Sequence, residues 1–104
     1  MATSHELAEK LAGLASRVND LAMDTTGDNS RALLGLQDRL SDLALAAIAT
    51  ALDEDTVRYK QAVQALDAAI EGIDEETVAV EQVTRIIKLA KKAADLAEAL
   101  AKSA

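Results

Sequence analysis

Leu7, Leu11, Leu14, Val18 and Leu21 recur at steps of four, three, four and three residues. Residues so spaced fall on one face of an α-helix, whereas a strand alternates its faces every second residue. The row spans two heptads. That is too short for a long coiled coil and suits one helix of a bundle, whose apolar stripe must be covered by neighbours. Thr3 and Glu6, just ahead, have the spacing of a capping box. The first helix is therefore expected over about residues 4–24. Gly13 lies beside the seam and leaves room for a close neighbour.

The same period returns three times. Thr25-Thr26-Gly27-Asp28-Asn29-Ser30 reads as a loop, and a second helix is expected over about 30–52. Its first stripe is Leu33, Leu36, Leu40, Leu43 and Ala47, and its second is Leu45, Ile48 and Leu52. The two together predict a wide core-facing surface, with Gly35 as a packing position. A third helix, about 53–71, carries Tyr59, Val63, Leu66 and Ile70, continued by Ile73, with Ala62, Ala65 and Ala69 flanking them. Tyr59 is expected half-buried with its hydroxyl in water. A fourth, about 74–102, carries Val80, Val83, Ile87, Ala90, Ala94 and Ala97, widened by Ile86, Leu89, Leu96 and Leu100. It is the longest. At 1.5 Å per residue it would measure roughly 43 Å against roughly 30 Å for the others.

Nothing in the composition opposes this reading. The chain has no Pro, Cys, Phe or Trp, and Tyr59 is the sole aromatic residue. Alanine and leucine, the strongest helix formers, dominate. The fold class expected is all-α: an antiparallel bundle of four helices in a single domain over 1–104.

A near-repeat marks two helix starts. Leu52-Asp53-Glu54-Asp55-Thr56-Val57 returns as Ile73-Asp74-Glu75-Glu76-Thr77-Val78, 21 positions later. Asp53 and Asp74 would serve as N-caps, with the following acids in the first turn and Leu52/Val57 and Ile73/Val78 as hydrophobic staples. Gly72 would end the third helix in a left-handed conformation. No Gly or Pro enforces a break at Asp53, so the second and third helices run either as two elements or as one from about 30 to 71. An EF-hand reading fails, because Arg58 stands where the loop needs Gly and Gln64 where it needs Glu.

Charge narrows the function. The net charge is −7. It is distributed as −3 over 1–52 (seven acidic, four basic), −7 over 53–81 (nine acidic, two basic) and +3 over 82–104 (two acidic, five basic). So acidic a chain is a poor match for phosphate backbones, and nucleic acid is not expected as a partner. Without Cys there are no disulfides, thiolate metal sites or thiol nucleophiles. The lone His5 cannot supply the Glu-x-x-His pairs of a di-iron bundle. It is also an improbable triad member so near a helix start. Asp67 and Asp95 come nearest to buried carboxyls and are read as surface residues. No catalytic residue, cofactor or metal is expected.

The N-terminal residues lack the basic start and apolar stretch of a signal peptide. The longest uncharged apolar-rich run, Leu43 to Leu52, is half a membrane span. The protein is expected to be cytoplasmic.

A non-catalytic protein–protein interaction module remains: an adaptor, a chaperone, or an inhibitor of the immunity type. Its candidate partner-binding region is acidic (Asp53, Glu54, Asp55, Asp74, Glu75 and Glu76) and suits a basic protein. Leu89, Leu96 and Leu100, on a fourth helix overhanging its bundle, form a candidate self-association stripe that predicts a homodimer. Arg85, Lys88 and Lys92 share one face and are read as solvated rather than as an anion site. Two alternatives stand beside this. One is an acidic DNA mimic that blocks a nucleic-acid-binding protein. The other is an amphipathic protein lying on a membrane surface.

Overall fold

A computed structural model describes residues 5–49, 56–74 and 80–103. Four helices account for nearly all of them: α1 (His5–Met23), α2 (Gly27–Ala49), α3 (Val57–Asp74) and α4 (Val80–Ser103). No strand occurs among the described residues.

The α1 seam is the core of the molecule as the spacing predicts. Leu7, Leu11, Leu14, Val18 and Leu21 are all buried, with Ala8, Ala15 and Ala22 beside them. The turn into α2 is shorter than expected, only 24–26. Its closure is local. The Thr25 hydroxyl donates to the Leu21 carbonyl at 2.7 Å and the Ser30 hydroxyl to the Ala22 carbonyl at 3.0 Å. The same two carbonyls, at the end of α1, also accept from the Asp24 N–H at 3.1 Å and the Thr25 N–H at 3.3 Å, the i to i+3 bonds that tighten a last helical turn. Gly27 takes φ 72°, a left-handed conformation that a side chain would strain. Asn29 and Ser30 therefore lie inside the first turn of α2 rather than capping it.

So short a turn makes α1 and α2 an antiparallel hairpin. α3 and α4 form a second one, with Gly72 against Ile86 and Leu89 at one end and Ala65 near Leu96 further along. The hairpins pack side by side, α1 on α3 and α2 on α4. Ion pairs fix the register. Lys10 Nζ meets Asp67 Oδ1 at 2.6 Å, and Arg17 Nε meets Asp74 Oδ1 at 2.8 Å. Both partners advance by seven residues, so α1 and α3 run parallel. α2 and α3 therefore run in opposite directions and are separate helices, which closes the option of one element from 30 to 71.

Helix α3 starts later than the acidic repeat predicts. Thr56, not Asp53, is its N-cap: Thr56 Oγ1 accepts from the Tyr59 N–H at 3.2 Å, and the Thr56 carbonyl accepts the first helical bond, from Lys60. Val57 is then the first helical residue and 70% exposed, not a staple. At the other end α3 continues through Gly72, which is not left-handed, to Asp74. Asp74 belongs to the last turn of α3 and does not begin the next helix. The expected staple partners Leu52 and Val78 lie outside the described residues.

Alanine holds the centre of the second hairpin. Ala62 and Ala69 are fully buried with Tyr59 and Leu66, while Val63, Ile70 and Ile73 are only partly buried. On α4 the fully buried positions are Ala90, Ala93 and Ala94. Gly35, by contrast, is exposed, and a Cβ built there meets nothing within 4 Å. It is not a packing position. Gly35→Ala is expected to raise stability by about 1 kcal/mol through helix propensity. Tm should rise by about 4–8 °C, as thermal denaturation would show.

Candidate interaction surface

The sites expected from sequence fare unequally. Of the six acids, Asp53, Glu54, Asp55, Glu75 and Glu76 lie outside the described residues. Asp74 is engaged by Arg17. In the proposed self-association stripe Leu100 is buried in the core, and Leu89 and Leu96 pack partly buried against it. The overhang behind that expectation is missing: α4 has 24 residues and α2 has 23. The pattern extended α4 back to Asp74, but α3 occupies that position. Arg85, Lys88, Lys91 and Lys92 are exposed and make no ion pair among the described residues.

The surface that does emerge lies on the outer face of α1 and α2. Leu45 is 68% exposed and Ile48 62%, although the second α2 stripe was expected in the core. The reason is geometric. α2 has two neighbours, α1 and α4. Leu33, Leu36, Leu40, Ala44 and Ala47 satisfy both, and Leu45 and Ile48 turn to a side where none of the four described helices stands. Leu45 and Ile48 wall an open groove of about 860 Å³ whose α1 side is small, with Ala8, Ala12 and Ser16. Helical register continues this face to Leu34 on α2 and Met23 on α1, both exposed. Among the described residues, four of the five exposed large hydrophobic side chains thus share one face, and Val57 is the fifth.

Electrostatics separates this face from the rest. Of the four basic residues in α1 and α2, three turn toward the second hairpin: Lys10 to Asp67, Arg17 to Asp74, and Arg39 to Asp95 and Glu98. Arg39 Nη2 lies 2.6 Å from Asp95 Oδ1 and 2.5 Å from Glu98 Oε2. Its hydrogen bond, together with one from Lys102, holds the Glu98 carboxyl below the usual carboxylate range. The same bond to Glu98, then that to Asp95, raises Arg39 further. Such half-exposed pairs contribute little individually to stability, because solvent screens them. Their consequence is directional. Glu6, Glu9, Asp20, Asp24, Asp38 and Asp42 make no ion pair among the described residues. Only Arg31 offers an outward cation there, 3.9 Å from Asp28.

Among the described residues Glu9 is the one charged side chain lining the groove. Among the described residues no buried polar side-chain atom lacks a hydrogen-bond partner, and no three His, Cys, Asp or Glu side chains are placed to hold a metal. Among the described residues no helix is long and apolar enough to cross a membrane.

Comparison with known protein families, with curated proteins and with solved structures finds no match to this chain.

Proposed function

We propose that the protein is a small, acidic, non-catalytic interaction module whose docking surface is the outer face of α1 and α2. The observation that carries this reading is the gathering of Met23, Leu34, Leu45 and Ile48 on one face. Single exposed apolar residues are ordinary on a protein surface, but a contiguous set beside a groove marks a surface that another molecule covers. Self-association through the α4 stripe is not part of the proposal, since Leu100 is committed to the core.

A photo-reactive amino acid at position 45, in the organism that encodes the chain, tests this reading. The expected result is a discrete adduct with a second polypeptide. The same probe at Ala99, exposed on α4, should give none. Equal, diffuse labelling from both positions would count against a dedicated surface.

A further inference from the structure

We infer that the groove between α1 and α2 receives an α-helix of another protein, apolar along one stripe and flanked by lysine or arginine. This rests on the reading of that face as a docking surface and adds the chemistry of the occupant.

The shape calls for a helix. Two antiparallel helices enclose a trough with Ala12 and Ser16 on one side and Ser41 at its middle on the other. Small residues let a third helix settle close, as in helix-in-groove recognition. Leu34 to Ile48 spans roughly 21 Å along α2, about four turns. Leu34, Leu45 and Ile48 provide the apolar wall. A drug-sized ligand would need convergent polar groups, and among the described residues the lining offers only Glu9 as a charge.

The charge selects the flanks of that helix. Glu9 lines the groove. Asp38 stands four residues after Leu34 and seven before Leu45, on the same face. Asp20 stands four after Ser16 and three before Met23. None of the three has an ionic partner among the described residues. The cations that would have neutralised this face are held at the interface between the hairpins. A second copy placed face to face would oppose these carboxylates to their own equivalents, with Arg31 alone to relieve them. An anionic lipid surface would be repelled for the same reason. A basic amphipathic helix satisfies both the apolar wall and the acidic rim.

The test uses two synthetic helices of about five turns, one of leucine and lysine and one with glutamate in place of each lysine. Each is titrated into isotope-labelled full-length protein while amide resonances are followed. The leucine–lysine helix should perturb Ala12, Ser16, Ser41 and Leu45 and bind at least about tenfold more tightly than its glutamate counterpart. Leu45→Ser with Ile48→Ser should weaken it by about tenfold or more, since apolar anchors dominate such contacts. Glu9→Gln with Asp38→Asn should reduce the dependence on salt. Equal binding of both helices in the groove would overturn the basic occupant and leave the docking surface standing. Perturbation of the same residues by protein concentration alone would replace the foreign helix with a second copy. Perturbation confined to α3 and α4, or none from either helix, would overturn the inference. Silence of the position-45 probe as well would remove the docking surface itself.

Discussion

Leu40→Ala should lower stability by about 2–5 kcal/mol, whereas Leu45→Ala, five residues further along the same helix, should change it by no more than about 0.5 kcal/mol. Leucine and alanine have similar helix propensities, so the pair isolates burial. Leu40 is 0% exposed in a core shared by all four helices, and Leu45 is 68% exposed. Truncating Leu40 forfeits its transfer free energy and leaves a cavity that its close-packed neighbours fill only in part. A domain of this size holds about 5–15 kcal/mol in total, so the loss should appear as a Tm lower by about 10 °C or more. Urea denaturation would check both variants, with the slope unchanged if only stability has moved. Comparable losses from the two would place Leu45 inside the fold and remove the proposed docking face.

The same pair of leucines shows what the sequence carries and what it withholds. The α1 seam was legible because one stripe at heptad spacing matches one line of contact. α2 carries two stripes, and periodicity alone makes both core. Which is covered depends on how many helices stand around it. The described helices give α2 two neighbours, so Leu45 and Ile48 of the second stripe face solvent. Residue size misled in a related way on α3. The larger Val63, Ile70 and Ile73 drew the axis of the seam, but they are only partly buried while Ala62 and Ala69 are fully buried.

The acidic repeat gave the number of helices but not their starts. Asp53 and Thr56 are both good N-cap residues, and propensity does not rank them. The structure selects Thr56, whose hydroxyl oxygen accepts from the Tyr59 N–H and whose carbonyl accepts from the Lys60 N–H. The charged surface was hidden more deeply. Lys10 and Asp67 lie 57 residues apart. No local pattern pairs them, so sequence could not show that the first hairpin spends its cations inward. The acidic surface expected between 53 and 81 is thereby joined by one on α1 and α2 that total charge did not locate.

Tyr59→Phe should cost about 1–3 kcal/mol, more than the removal of one hydroxyl from a surface tyrosine would. The sole aromatic side chain was expected to keep its hydroxyl in water. Instead Tyr59 is buried, and its oxygen accepts a hydrogen bond from the Leu7 N–H at 3.1 Å. Leu7 belongs to the first turn of α1, where N–H groups have no intrahelical acceptor. The tyrosine thus caps one helix from another and ties the start of α1 to that of α3. Leu7 is itself buried, so water cannot readily take the place of the lost oxygen, and the phenylalanine ring leaves the donor unsatisfied. Tyr59→Ala should cost about 3–5 kcal/mol, because the ring volume goes as well. The difference between the variants separates packing from the hydrogen bond. Amide exchange adds a local reading: in Tyr59→Phe the Leu7 amide should exchange faster by more than the global loss of stability explains, while the Leu40 amide tracks that loss. A phenylalanine variant as stable as the wild type would show that the hydroxyl is solvated and that α1 is capped without it.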